Sequence, residues 1–474
     1  MKILILGAGR VGESVAESLV TERNDITLID TNPARLRDLQ DRLDLRAVVG
    51  NGIQPSVLQE AGIADADMII ACAPLDETNL VVCKIAHDLF NVPTTVARVR
   101  SQEFVEGSAL LGKTGFAVDH TLCPEASVTA YIRKLIDYPE ALQVLEFAGG
   151  LVSLIAVRAV AGGLLVQHTL AEIPRLVPGA DMRIVAIYRQ DTALPVLQGN
   201  TLIQAGDEVF VLAATAHIRN VLGALRQRDK PARRVMIAGG GKIGLRLARQ
   251  LQADHQIKII EPQSARCEYL ATQTAADVLV LQGDSTDGEL LADENVQDMD
   301  LFLALTSDDE DNIMSCLLAK RLGARRVLAL INRRAYAELV QGTTIDIAIN
   351  PSQAVLGELL AFVRRGDVRA VHSLRRGAAE ALEAVVRGDR KTCRMAGRRI
   401  DELALPAGAQ VGAIVRGLHR DDGSDTGTDT GPEVIMAHHD TVVQRNDHVI
   451  VFVPQHAMVR EVEKLFQVSA TFLF

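Results

Sequence analysis

A unit written twice limits this chain more than any single motif does. It opens MKILILGAGRVGESVAESLV, and near the midpoint RRVMIAGGGKIGLRLARQLQ repeats the design: a short apolar run, a glycine-rich turn and the start of an amphipathic helix. Such a repeat sets the architecture before other features are weighed. ILILGAGRVG (3–12) corresponds to VMIAGGGKIG (235–244), and Asp30, closing DITLID, corresponds to Glu261, closing QIKIIE. VVGNG (48–52) then matches LQGDS (281–285), and LDETN (75–79) matches DDEDN (308–312).

Within each copy, β-type runs alternate with helical patterns. In the first, ILIL, DITLID, LRAVV, DMIIAC, TTVARV and FAVDHTL follow one another with a helix between each pair. That alternation predicts a parallel sheet with right-handed crossovers and helices on both faces. Behind each such segment the texture changes to hairpin-like runs broken by Gly and Pro. The first has LQVLEFAGGLVSLIAVRAV, a helix around IPRLVPGADM, RIVAIYRQ, and a last strand opened by the Gly206-Asp207 turn; the second has GAQVGAIVRGL and a strand opened by Asn446-Asp447. The fold class is therefore α/β. Two Rossmann-type doubly wound parallel-sheet domains, at 1–125 and 232–351, are each followed by a small α+β domain, at 140–226 and 368–456. DDGSDTGTDTG (421–431) is too polar to order itself by burial and lacks the spacing of an EF-hand, so a flexible hairpin tip is expected there.

Composition agrees with this architecture and excludes some functions. At 474 residues the chain exceeds one ordinary domain, and 3% aromatics with no Trp suit aliphatic α/β packing. A net charge of -10 repels nucleic acid, so no nucleic-acid partner is expected. The basic pairs Arg233-Arg234, Arg325-Arg326 and Arg398-Arg399 lack an aromatic platform and read as solvated faces. Six cysteines without a CxxC pair fit reduced thiols in a cytosolic protein. The first apolar run ends at Leu6 with no cleavage-type region after it, and no run reaches the roughly 18 apolar residues of a membrane span. A soluble chain is expected, able to dock on a membrane protein.

The glycine turns point to a ligand. In GAGRVG, Gly7 makes the tight turn, Gly9 removes a side chain where backbone approaches a phosphate, and Gly12 lets the helix pack on the strand. Asp30 is placed to accept hydrogen bonds from a ribose 2′,3′-diol and to repel a 2′-phosphate, favouring NAD or an adenosine nucleotide over NADP. The second copy repeats the logic with Gly239, Gly241, Gly244 and Glu261, its helix opening at Lys242 and Ile243. TTVARVR puts Arg98 and Arg100 near the carboxyl ends of the strands, where an open α/β sheet binds its ligand, and Arg98 suits distal phosphates. Alignment through the shared motifs sets Arg98 opposite Ile331 and Arg100 opposite Arg333, so the two sites differ in make-up.

Tandem GxGxxG units, the acid ending the second strand, a Gly-Asn or Gly-Asp turn after the third, D-E-x-N after the fourth and R-x-R on the fifth together resemble the RCK (or KTN) domains that regulate potassium channels and transporters. The resemblance covers 1–454, essentially the whole chain, and implies alternating RCK-N and RCK-C domains. It places Gly7, Ala8, Gly9, Arg10, Val11 and Gly12 in the phosphate turn, Asp30 on the ribose, Gly50 and Asn51 by the adenine, Ala73 beside sugar and phosphate, and Arg98 near the phosphates. Glu125, in CPEAS, falls near domain and subunit contacts. NAD(H), or ATP or ADP in its place, is the implied cofactor. The implied partner is an integral membrane potassium transporter subunit of the Trk type, which would hold the chain on the cytoplasmic face of the inner membrane. Assembly as a homo-oligomer, dimer or tetramer, is implied as well. Two positions depart from the pattern: Ala73 lacks the hydroxyl of Thr306, and Ser352 stands where the first half has Glu125, so a cation bridge at that glutamate would exist in the first half alone.

The expected function is a nucleotide-sensing regulatory subunit of a membrane potassium uptake system, and not an enzyme. The alternative, an NAD-dependent oxidoreductase with twin Rossmann domains, needs an acid or base beside the nicotinamide. His87 and His120 fall on or beside core elements, His438-His439 lacks the HExxH spacing of a zinc site, and neither GxSxG nor GxxxxGK[ST] occurs. A sensor needs only a ligand with unequal affinity for two conformations. A subunit that keeps nucleotide purely as structural filler is the third reading.

Overall fold

The computed structural model describes residues 1–22, 24–101, 103–104, 108–179, 181–190, 192–194, 197–226, 231–340, 344–364, 367–374, 379–418 and 431–468. The hairpin tip expected at 421–431 lies, Gly431 aside, outside the described residues.

The first half begins with β1 (Lys2–Leu6), α1 (Arg10–Thr21), β2 (Asp25–Asp30), α2 (Pro33–Arg42), β3 (Arg46–Val49), α3 (Pro55–Glu60), β4 (Met68–Ala71), α4 (Asp76–Phe90), β5 (Thr94–Arg98), β6 (His120–Leu122) and α5 (Pro124–Asp137). Its strands form a parallel sheet in the order β3-β2-β1-β4-β5-β6. The central strands are apolar throughout because helices cover both faces: every residue of β4 is buried, and all but the first of β1. Helix α1 buries Gly12, Val15, Ala16 and Leu19, the spacing of one helical face. Asn32 caps α2 by accepting from the amides of Ala34 and Arg35, with Pro33 at the first helical position.

One expected helix is absent among the described residues. Between β5 and β6 the described residues 108–119 form successive turns, in which Phe116 N donates to Leu110 O and Gly115 N to Gly112 O. A Cβ at Gly115 would sit 1.9 Å from Leu110 O, so the chain folds back on itself where a helix needs to run straight.

A small antiparallel sheet follows: β7 (Ala141–Phe147), β8 (Val152–Arg158), α6 (Ile173–Leu176), β9 (Met182–Arg189), β10 (Thr192–Ala193), β11 (Glu208–Ala214) and α7 (Ile218–Leu225), in the order β10-β9-β11-β8-β7. The second half repeats the parallel sheet with β12 (Arg234–Ala238), α8 (Lys242–Leu251), β13 (Gln256–Glu261), α9 (Ser264–Gln273), β14 (Leu279–Gln282), α10 (Gly288–Asp293), β15 (Leu301–Ala304), α11 (Asp309–Leu322), β16 (Val327–Leu330), α12 (Arg334–Val340), β17 (Ile347–Ile349) and α13 (Pro351–Val363), ordered β14-β13-β12-β15-β16-β17. It ends in β18 (Val368–Leu374), β19 (Ala379–Val385), β20 (Gln410–Arg416), β21 (Glu433–Met436), β22 (His448–Val453) and α14 (Val459–Phe466), ordered β18-β19-β22-β20-β21. The two small sheets thus share one topology. Their last strands start alike: Gly206 and Asn446 are left-handed, and the buried Asp207 and Asp447 after them take both ends of a guanidinium, Arg189 or Arg416, at 2.9 Å.

In space the halves sort by type. One compact unit is Met1–Ala130 with Arg233–Leu356, the two Rossmann sheets; the other is Tyr131–Ala232 with Gly357–Phe474, the two small sheets. Each Rossmann sheet keeps its own core, and so does the first small sheet beneath α6 and α7, but the two small sheets also share one, in which Phe147, Leu154, Phe210 and Leu212 pack with Leu374, Ala413, Ile450 and Phe452. Gly412 marks a close approach, since a Cβ there would lie 2.1 Å from Leu212 Cδ1. Among the described residues no helix is long and apolar enough to cross a membrane.

Candidate functional site

Both glycine turns have the geometry their residues require. Gly7 and Gly239 are left-handed, φ 102° and 103°, and a Cβ on either would press within 2.9 Å of the backbone after β4 or β15. Gly12 and Gly244 sit against the carbonyls of Gly7 and Gly239, at 1.8 and 2.1 Å from an added Cβ. Gly9 and Gly241 face open space, with nothing within 4 Å. They also cap α1 and α8 without any side-chain hydrogen bond, so the first-turn amides stay available to an anion.

The acids at the ends of β2 and β13 hold these turns. Asp30 accepts from Ala8 N at 2.6 Å and Asn32 N at 2.8 Å, and Glu261 accepts from Gly240 N at 3.0 Å and Gln263 N at 3.2 Å. Each carboxylate oxygen has further acceptor capacity, and Asp30 lines a cavity.

That cavity, about 610 Å³, lies within the Rossmann unit and draws its wall from both halves. Of the residues singled out in the sequence, Gly7, Ala8, Gly9, Arg10, Val11, Asp30, Arg98, Gly241, Lys242 and Ile243 line it, and so do Arg100 and Glu125. Gly12, Gly50, Asn51, Ala73, Gly239, Gly244 and Glu261 do not. Gly50 N donates to Asp30 O, and Ala73 is held by Asn79, so these residues shape the wall from behind.

Glu125 Oε1 stands 3.4 Å from Arg98 Nη2 and 3.5 Å from Arg100 Nε. Within this cluster Nε of Arg98, Nε of Arg100 and Oε2 of Glu125 have no hydrogen-bond partner among the described residues. Burial pushes the Arg98 guanidinium down from its ordinary value, against the pull of Glu125. Burial likewise pushes the neighbouring Cys72 thiol up to about 12, which keeps it protonated and unreactive.

The register of the sheets corrects the sequence alignment by one residue. Ala97 pairs with Ala71 and Ala329 with Ala304, so Arg98 matches Leu330 and Arg100 matches Asn332. Asn79 Nδ2 accordingly bonds Arg98 O, and Asn312 Nδ2 bonds Leu330 O. The slip arises because α4 has 15 residues and α11 has 14. Neither arginine has a cationic counterpart, and the halves differ more than the alignment indicated.

The D-E-x-N motif also has a role that its place in the sequence does not reveal. Asp76 accepts from the amides of Arg100 and Ser101, while Asn79 bonds Ala73 N, Ala73 O and Arg98 O. Asp309 and Asn312 do the same in the second half. The motif clamps the strand ends that carry the arginines; its recurrence in both halves was the available signal.

Twin 3-2-1-4-5-6 sheets whose glycine turns open on a common cavity, with two paired antiparallel domains, define a tandem Rossmann protein of the RCK type. The TrkA-N domain model matches residues 3–124 and 235–351, and the TrkA-C domain model matches 154–225. The Trk system potassium uptake protein TrkA of Halomonas elongata is 50% identical over 472 residues, covering 100% of both chains. The chain belongs to this TrkA family. Its fold is similar to the crystal structure of the GsuK RCK domain, with a TM-score of 0.58 and 16% identity over 98% of this chain and 94% of that one. The GsuK channel bound to NAD gives 0.58 and 16%, over 98% and 78%.

Proposed function

We propose that this chain is the nucleotide-responsive regulatory subunit of a Trk-type potassium uptake system. NAD(H), or ATP or ADP in its place, binds in the first half and changes the shape of the assembly, which controls the pore of an integral membrane partner from the cytoplasmic face. The chain acts as a homo-oligomer, dimer or tetramer. The observation that carries the reading is the cationic cluster facing an uncapped glycine turn. Three buried polar atoms of Arg98, Arg100 and Glu125 want partners, and Gly9 leaves room for an anion beside free amides. A phosphate chain meets both needs, while Asp30 offers lone pairs to a ribose. Names in the family and a neighbour of like fold bound to NAD point the same way.

A coupling of about 1–3 kcal/mol between nucleotide and pore suffices for regulation. Potassium flux through the purified pore in liposomes, with this chain and each nucleotide in turn, tests it. Flux should change with at least one of NADH, NAD, ATP and ADP, and Arg98→Ala should blunt the response. Flux indifferent to all four sinks the proposal.

A further inference from the structure

The two halves differ along one edge of the cavity. Along the edge beside the acid, Asp30, Arg35, Asp38 and Leu39 line the cavity, but their counterparts Glu261, Arg266, Tyr269 and Leu270 do not. The match is fixed by the acids, by the amides of Asn32 and Gln263 that bond them, and by the buried Leu39 and Leu270. Arg266 is tied down in the second half: its Nε donates to Gly240 O at 2.8 Å and its guanidinium lies 4.7 Å from the centre of the Tyr269 ring. The second glycine turn thus carries a cation that is stacked on an aromatic ring. Arg35 holds the same helix position with Asp38 where the ring would be; it is exposed on the cavity wall, and among the described residues its guanidinium has no partner.

We infer that Arg35 is the residue on which the adenine of a bound nucleotide stacks, and that the Arg266–Tyr269 clip keeps the second groove closed, so each chain holds one adenine nucleotide tightly. A purine offers the same π face as Tyr269, and a planar guanidinium already employed this way in one half suits a base in the other. Asp30, on the strand end that leads into α2, fixes the ribose beside it. This inference rests on the proposal that nucleotide enters the first half.

Calorimetric titration of the full chain with ADP and with NAD tests it. The wild type should show one tight site per chain. Arg35→Ala should weaken it about three- to tenfold, the effect of losing one cation–π contact. Arg37→Ala, which removes the same charge from the same helix, should leave affinity unchanged, and Tyr269→Asp should add a second measurable site. Circular dichroism checks that these exposed substitutions leave the fold intact. Failure of the wild type to bind either nucleotide would refute the functional proposal itself. Wild-type binding that Arg35→Ala does not weaken, that Arg37→Ala weakens equally, or that already shows two equal sites overturns the stacking and closure inference alone.

Discussion

Gly9 and Gly12 stand three residues apart in one turn, yet they answer to different demands. Gly12 faces protein, at 1.8 Å from Gly7 O for an added Cβ, and Gly9 faces empty cavity. Gly12→Ala should therefore cost about 2–4 kcal/mol in urea unfolding, since backbone must move to make room. Gly9→Ala should change stability by less than about 0.5 kcal/mol while lowering nucleotide affinity at least tenfold, because the new methyl blocks only the ligand. Equal loss of stability in both variants would mean that Gly9 too is a packing glycine. Asp30 mixes the roles: Asp30→Ala removes a ribose acceptor and strips the acceptor from Ala8 N, so its loss of affinity is informative only beside a melting curve. The residue types at this site were legible because a phosphate turn and a diol acceptor each admit few choices. Arg35 was not legible, as an exposed arginine on a helix has no distinguishing pattern until its counterpart is seen stacked.

Helix α4 shows how an element carries a site it hardly touches. Its first turn holds Asp76 and Asn79, which pin the backbone around Ala73, Arg98, Arg100 and Ser101. Asn79 is fully buried, so Asn79→Ala leaves Ala73 N, Ala73 O and Arg98 O unpaired at once. A loss of about 2–4 kcal/mol is expected in denaturant unfolding, with weaker nucleotide binding at temperatures where the variant is still folded. Unaltered affinity in the folded variant would separate the clamp from the arginines. The extra residue in α4 also explains why counting along the chain mispaired the arginines by one. Motifs fix helix starts, but strand register follows hydrogen bonds, which sequence spacing does not record. The turns that replace a helix between β5 and β6 were hidden for a similar reason: a glycine folded against a carbonyl looks, in sequence, like any other loop glycine.

At the scale of the molecule, the small sheets share a core that a single buried carboxylate helps to join. Glu383 on β19 accepts from Ala148 N of the first small sheet at 2.7 Å and pairs with His448 at 2.6 Å. Nearby His372 Nε2 meets Glu146 O at 3.1 Å, with its ring edge-on to Phe147. Burial pushes His372 down to about 4; Lys134 acts in the same direction, and Glu146 and Glu383 oppose it. A folded value below the unfolded 6.5 means that the unfolded state binds the proton more readily. Its stabilising contribution is thus complete above pH 6.5 and is lost as pH falls toward 4, at up to about 1.4 kcal/mol per pH unit. Melting temperature should drop over that window, and His372→Leu should flatten the slope. An unchanged slope would assign the acid sensitivity elsewhere.

By itself the sequence determined the doubled plan, the parallel sheets and the two glycine turns with their acids, because strand period, helix period and left-handed glycine are local demands. Only the tertiary structure decided which parts stand together. Read along the chain, each Rossmann segment belongs with the small domain that follows it; in space, Met1–Ala130 joins Arg233–Leu356 and the small domains join each other. Apolar faces are buried by whichever surface fits them best, and the sheet that fits each small domain is its distant copy, through the core of Phe147, Phe210, Ile450 and Phe452. The same sorting turns two separate glycine motifs into walls of one cavity, with Arg35 on its wall and Arg266 stacked on Tyr269 in the other half.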